Sequence, residues 1–284
     1  MQVALIVRPA THADLEPIRA IANSYGNLAS WSRRPDYIDH ELATGTLTVC
    51  GAEGEVVGFG AVLERNGVAH LADLFISRDR LGQGIGKAIL ERSFTPRSRR
   101  VTFASNDPRA LPLYMRFGMV PVAPLLYLKG SSEAASRLPD PGVTLRDSTP
   151  AEVAALDEAA SGRERLQDLD FLGAHARCFS AVYRQRVIGY GFVRLVEGPG
   201  GTATTAFFGP VGAATAEHSR LTVPALLRWS AEHATSAIVP VFGPHPAAST
   251  LVDAGYRIED IDTYMASSIR LINLERYCPS AELG

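Results

Sequence analysis

The chain is short of several features that would place it in a special class. Its 284 residues include only three cysteines, Cys50, Cys178 and Cys278. An odd number at such wide spacing makes neither a zinc motif nor the framework of a small secreted domain, so a reducing cytoplasm is the expected setting and no metal is expected. The apolar opening Met1–Val7 stops at Arg8-Pro9. It is too short for a signal-peptide core or a membrane span and reads as a first strand over about residues 3–8. A net charge of −2 leaves no excess of basic residues for general nucleic-acid binding. Neither a membrane nor a nucleic acid is therefore expected as a partner.

What is present is ordinary globular material, 46% hydrophobic and 20% charged, in a length that suits two domains with full cores. The charge is split unevenly. Residues 1–130 carry 15 lysines and arginines against 12 acids, and the remainder 13 against 18. A mildly positive first half suits a phosphate-bearing ligand, and an acidic second half suits a cationic one.

The two halves repeat one plan. Arg8-Pro9-Ala10-Thr11-His12-Ala13-Asp14-Leu15 corresponds to Arg146-Asp147-Ser148-Thr149-Pro150-Ala151-Glu152-Val153, 138 residues later. In both, a threonine three residues before an acid forms a capping-box signature ahead of a helical apolar pattern. Val56-Val57-Gly58-Phe59-Gly60-Ala61-Val62 then corresponds to Val187-Ile188-Gly189-Tyr190-Gly191-Phe192-Val193, 131 residues later. Two matches in the same order indicate tandem domains of similar fold. The small, polar stretch 131–142 reads as a linker between a first domain at 1–130 and a second at 143–276, with 277–284 as a tail.

Within the first copy the pattern predicts a strand, a helix over 11–24, a loop with a short helix to about 44, and strands at about 46–52, 55–64 and 67–76. A helix over 84–94, a strand at 101–105, a helix over 108–117 and a strand near 121–128 complete it. An antiparallel meander feeding a strand–loop–helix–strand unit is an α+β (mixed α/β) sandwich.

The most informative stretch runs from Asp73 to Leu90. An apolar strand enters Leu81-Gly82-Gln83-Gly84-Ile85-Gly86-Lys87 and opens a helix with Ile85, Ile89, Leu90 and Phe94 on its apolar face. Three glycines allow close backbone approach, and free N–H groups at a helix start suit a pyrophosphate. No Gly-Lys-Ser/Thr ending follows, and the antiparallel meander before it does not suit a dinucleotide fold. A strand at 101–105 leads next into Asn106-Asp107-Pro108-Arg109-Ala110-Leu111-Pro112-Leu113-Tyr114-Met115-Arg116-Phe117-Gly118, a short helix with a proline in its first turn and a terminal glycine.

Together these segments resemble the GNAT N-acetyltransferase superfamily over about residues 3–130. Leu81 to Gly86 is similar to the family's Gln/Arg-x-x-Gly-x-Gly/Ala pyrophosphate motif, with leucine where Gln or Arg is usual. Asn106 to Gly118 is similar to its Asn-x-x-Ala-x-x-x-Tyr-x-x-x-Gly segment, with one residue more between Asn106 and Ala110. The resemblance implies acetyl-CoA as cosubstrate, lying in a V between the strand ending Leu74-Phe75-Ile76 and the strand 101–105. The backbone of Phe75 and Ile76 would pair with the pantetheine arm, N–H groups near Leu74 and Phe75 would polarise the thioester, the 81–87 loop would hold the pyrophosphate, and Asn106 would touch the arm. It also implies direct attack by an amine, with Tyr114 as general acid towards the thiolate.

For the base, His70, Asp73 and Glu64 are candidates. His70 begins a run similar to the His-x-His strand of arylalkylamine acetyltransferases, and strand alternation puts it on the face opposite Leu71, Asp73 and Phe75. The loop with Tyr25, Asn27, Trp31, Arg33, Arg34, Asp36 and Tyr37 would form the amine pocket, its arginines favouring an acidic group. The second copy has Leu251 at the position of Tyr114, Gly243 at that of Asn106, and Gly209-Pro210-Val211 in place of a glycine loop, which is similar to the degenerate C-terminal domains of tandem GNAT proteins. The expected activity is N-acetylation of a small-molecule amine by a monomer with pseudo-dimeric domains or by a homodimer. Acyl-CoA sensing without turnover and acetylation of protein or peptide amines are the alternatives.

Overall fold

A computed structural model describes residues 5–31, 33–201 and 203–284. The first unit contains β1 (Ile6–Pro9), α1 (Leu15–Ser24), α2 (Tyr37–Thr44), β2 (Thr46–Ala52), β3 (Glu55–Arg65), β4 (Val68–Ile76), α3 (Ile85–Ser93), β5 (Arg99–Ala104) and α4 (Ala110–Arg116), ending in β6 (Val120–Ser131). Residues 3 and 4 of the expected first strand lie outside the described residues. The second unit contains α5 (Ser132–Ser136), β7 (Thr144–Asp147), α6 (Pro150–Ser161), α7 (Leu166–Gly173), β8 (Arg177–Tyr183), β9 (Arg186–Glu197), β10 (Thr204–Ala213), α8 (Ala216–Ser230), β11 (Ser236–Phe242), α9 (Ala248–Asp253) and β12 (Arg257–Ala266), then β13 (Tyr277–Cys278).

The sequence repeats have the same physical cause in each unit. Both capping boxes form. The Asp14 carboxylate accepts from the Thr11 N–H at 2.8 Å, and that of Glu152 from the Thr149 N–H at 2.8 Å. The paired glycines let a helix lie directly on its strand. A Cβ at Gly60 would stand 2.8 Å from Ile89 of α3, and one at Gly191 would stand 2.4 Å from Leu226 of α8.

The strands form one continuous sheet in the order β1-β2-β3-β4-β5-β12-β6-β11-β10-β9-β8-β7, with β13 on β10. Each unit contributes an antiparallel meander followed by a parallel pair, β4 with β5 and β10 with β11. At the centre the units exchange their last strands. β12 of the second unit pairs with β5 of the first, and β6 of the first lies between β12 and β11. An apolar cluster shared by both units covers one face, with Ile18, Ile38 and Phe59 packed among Leu169, Leu172 and Phe192. Burying side chains of this size stabilises by about 1.5–3 kcal/mol each.

Two segments differ from expectation. Residues 131–142 are not a free linker: β6 runs to Ser131, whose hydroxyl caps α5, and Ala134, Ala135 and Leu138 are buried in the second unit's core. Alanine and serine carry no period of their own, yet their small size lets a short helix pack closely. Residues 277–284 are not a loose tail either, since Tyr277, Cys278 and Leu283 are fully buried. Among the described residues no helix is long and apolar enough to cross a membrane.

Candidate active site

The site begins where β4 and β5 part. They pair in parallel only over Val68–Leu71 and Arg99–Thr102. At that point β4 also bulges: Leu71 stands opposite Val62 and Asp73 opposite Ala61, which leaves Ala72 as the extra residue. The bulge breaks the alternation expected for this strand. Leu71 packs with Leu90, Tyr114 and Met119, while Phe75 packs on the other side against Tyr25 and Phe59. Asp73 sides with Phe75, close enough to Tyr37 and Glu41 to perturb the titration of both.

Past the fork lies a cavity of about 350 Å³. Its walls include Leu74, Phe75 and Ile76 of β4, then Leu81, Gly82, Gly84, Ile85, Gly86 and Lys87 of the turn and α3. Gly82 and Gly84 have φ of +77° and +80°, and a Cβ at either would meet nothing within 4 Å. They are glycine for their backbone conformation and face open space, as a cradle for a ligand requires. Gly86 differs: a Cβ there would stand 3.3 Å from Leu113, so its small size serves helix packing. The start of α3 has no side-chain cap, which leaves its N–H groups turned outwards. Arg80, Lys87, Arg109 and Arg116 line the same cavity, the first three in ion pairs with Glu53, Glu91 and Asp107. Gln83 and Asn106 are exposed and do not line it; Ser105 and Asp107 take the place expected for Asn106.

A second cavity of about 670 Å³ adjoins the first. The first unit contributes Tyr25, Asn27, Trp31 and Asp73, and the second contributes Arg194, Phe207, Asp262 and Glu282. The cavities meet at Tyr25, Leu74, Phe75, Ser105 and Tyr114. Trp31 is held in the wall by a 2.9 Å hydrogen bond from its Nε1 to Glu282, and Tyr25 by one of 2.6 Å to the Ile76 carbonyl. The remaining loop residues do other work. Asp36 caps α2 and pairs with Arg19 and Arg34, while Arg33 and Arg34 are exposed and line neither cavity. The sequence-based expectation that these arginines favour an acidic acceptor therefore fails.

Burial and charge set the protonation states. Tyr114 is buried, and burial together with Asp107, Asp262 and Asp73 raises its hydroxyl above the ordinary tyrosine value, so it keeps its proton at neutral pH. Burial pushes the Asp73 carboxyl up to about 7, against the opposing Tyr37 hydroxyl and with added repulsion from Glu282 and Asp36. Its Oδ2 has no hydrogen-bond partner among the described residues. His70 lines neither cavity. It is fully buried against Phe103, and burial plus Arg163 and Arg165 hold its pKa well below the ordinary histidine value. Glu64 is exposed and accepts from Thr95, outside both cavities. Sequence reasoning missed Asp262 and Glu282, whose one signal was the acidic excess of the second half.

The corresponding place in the second unit is filled by the chain itself. Gly191 and Gly189 face Val211 and Ala213 as Gly60 and Gly58 face Leu74 and Ile76. β13 pairs with β10 there, Cys278 opposite Val211 and Tyr277 opposite Gly212. It thus uses the edge that Leu74 and Phe75 leave open in the first unit. Leu251, at the position of Tyr114, is buried apolar core. Among the described residues no cluster of three or more His, Cys, Asp or Glu is placed to hold a metal.

Residues 15–119 match the model of the Acetyltransferase (GNAT) family. No curated protein matches the chain. Among solved structures, a protein from Pyrococcus horikoshii described as an acetyltransferase is similar at 17% identity, over 99% of this chain and 96% of that one, with a TM-score of 0.71. A GCN5-related N-acetyltransferase from Anabaena variabilis is similar at 12% identity, over 93% and 72%, with a TM-score of 0.62. A tandem GNAT protein from the clavulanic acid biosynthesis pathway is similar at 17% identity, over 93% and 98%, with a TM-score of 0.60. At such identities the likeness concerns the fold. With its forked strands and glycine turn, the first unit matches the GNAT acetyltransferase family over residues 15–119, and one sheet joins it to a second unit in a chain whose fold is that of tandem GNAT proteins.

Proposed function

We propose that the first unit transfers an acetyl group from acetyl-CoA to a primary amine of a small molecule. The observation that carries this reading is that Tyr114 lines both cavities, so one protonated hydroxyl stands where a thioester from one side meets an amine from the other. The smaller cavity supports acetyl-CoA through the turn 81–87, the exposed start of α3 and its four basic side chains. The larger one has walls from both units, which suits a compact acceptor better than a protein surface.

The residues fit the steps of a direct transfer. An amine reaches the cavity mostly as ammonium, its pKa near ~10.4. Asp73, ionised at and above its raised pKa, removes a proton and frees the nitrogen lone pair. The C–N bond forms at the thioester carbonyl. Backbone N–H groups near Leu74 and Phe75, next to the bulge, stabilise the negative oxygen. Collapse breaks the C–S bond and Tyr114 gives its proton to the departing thiolate; the second proton shed by the acetylated nitrogen returns to Tyr114, and Asp73 releases its own to solvent, leaving N-acetylated amine and free CoA. His70 is left out of the relay, being buried apart from both cavities. A thiol-release assay with acetyl-CoA and a broad amine panel tests this reading. Turnover with at least one amine is expected; acetyl-CoA binding without turnover on any would replace it by a binding-only role.

A further inference from the structure

The larger cavity has an electrostatic asymmetry that a simple alkylamine would not use. Five carboxylates line it, Asp73, Glu259, Asp260, Asp262 and Glu282, against one guanidinium, Arg194. Two acids are already engaged: Glu282 pairs with Arg194, and Glu259 pairs with Lys129 at 2.6 Å. Asp260 and Asp262 form no ion pair among the described residues. Asp262 accepts a 2.9 Å hydrogen bond from Tyr127 and is only partly exposed, whereas Asp260 is exposed at the rim and accepts only from the N–H of Ile261. Asp73, 3% exposed, offers the unpartnered Oδ2.

Carboxylates drawn out of water without counter-charge are unfavourable, and a ligand that brings cations relieves them. Resting on the acetyltransferase reading, we propose that the acceptor is a diamine or polyamine. One nitrogen lies between Asp73 and Tyr114, and a second ammonium is held at Asp260 and Asp262. The place of the second pair follows from the strand exchange. Asp262 stands just beyond Thr263, which pairs with Ala104, so β12 carries it past the end of β5 and into the gap between the units. Burial and Asp260 push the Asp262 carboxyl up to about 6, against the Tyr127 hydrogen bond; an ammonium there would restore its ionised form. Aromatic rings of Tyr25, Trp31, Phe103 and Tyr127 line the cavity and suit the methylene stem and its charged ends. A carboxylate-bearing acceptor would meet repulsion at the same place.

The test uses the full chain and compares 1,4-diaminobutane and spermidine with butylamine and 6-aminohexanoate, by thiol release from acetyl-CoA and by calorimetric binding in the presence of CoA. The dications are expected to exceed butylamine in kcat/KM by about tenfold or more, the advantage shrinking with added salt. In Asp260→Asn/Asp262→Asn that ratio is expected to fall towards one, and Asp262→Glu to restore part of it. Equal kcat/KM for diamine and monoamine, or preference for 6-aminohexanoate, would overturn the proposal while leaving acetyl transfer intact. Diamine binding without turnover of any amine would uphold the ammonium site at Asp260 and Asp262 and overturn the acceptor role together with the acetyltransferase reading. Absence of both diamine binding and diamine turnover would overturn it outright.

Discussion

The Arg65 guanidinium of β3 donates two hydrogen bonds to the Asp168 carboxylate of α7, at 3.0 and 2.7 Å, and so ties the first unit to the second. His40 of α2 stands 2.7 Å from the same carboxylate. All three side chains are buried. Burial alone would raise the Asp168 carboxyl, but the bonds from His40 and Arg65 outweigh it and hold it well below the usual carboxylate range. Its folded pKa is thus depressed, so its contribution to stability is present above the ordinary value of 3.8 and is lost as pH falls below it. Asp168→Ala leaves Arg65 without its carboxylate and is expected to destabilise by about 3–5 kcal/mol. Urea denaturation at pH 7 measures this, and the difference from the unaltered chain should shrink in acid.

Tyr114→Phe keeps the ring that packs on Leu71 and Met119 and removes only the hydroxyl. A fall in kcat by on the order of 10²-fold is expected, with acetyl-CoA affinity retained. Steady-state kinetics beside calorimetric binding separates the two. Unchanged kcat would reduce Tyr114 to a packing residue.

Asp73 gives a pH dependence in activity and in stability. As base it must be ionised, so kcat/KM should rise with pH through about 7, and Asp73→Asn should abolish that limb. His70→Gln should leave the limb in place, because His70 stays neutral across this range. The stability effect follows from the same raised pKa. Between 3.8 and about 7 the folded chain binds this proton and the unfolded chain has lost it, so stability declines as pH rises through that window. Asp73→Asn is expected to raise Tm at pH 8 relative to the unaltered chain and to change it less at pH 5. A lower Tm at pH 8 would show that the buried carboxylate is compensated in a way its surroundings do not indicate.

Calorimetry should give one acetyl-CoA per chain, because β13 occupies the open edge of β10 in the second unit. Gly84→Val introduces a branched side chain at a φ of +80° and into the face of the cradle. It should weaken acetyl-CoA binding by at least about tenfold. Two equivalent sites would contradict this account.

Residues 1–130 should not form an independent soluble enzyme. Cut there, β6 loses both its neighbours, β11 and β12, and β5 loses β12. The exposed edges and the uncovered Ile18–Phe59 cluster favour aggregation. Light scattering on the fragment checks this; a monodisperse fragment with full turnover would show that the exchanged strand is dispensable.

Much of the fold is legible in the sequence because its signals are local. The capping boxes at Thr11 and Thr149, the glycine pairs in β3 and β9, and the turn from Leu81 to Gly86 each depend on neighbours within a few residues or on a close approach that only glycine permits. They suffice to specify two copies of one plan and a cradle in the first. Tyr114 is legible too, through its fixed spacing from Ala110 and Gly118. What the sequence leaves open depends on contacts across more than a hundred residues. A single extra residue at Ala72 reverses which face Asp73 shares, and strand periodicity gives no sign of a bulge. The exchange of β6 and β12 carries no local signature, since either strand is equally apolar beside its own unit or the other. Only that exchange, together with the turn of residues 277–284 into the core, brings Asp262 and Glu282 to the cavity that Asp73 and Tyr114 also line, and so decides the charge of the space an acceptor must fill.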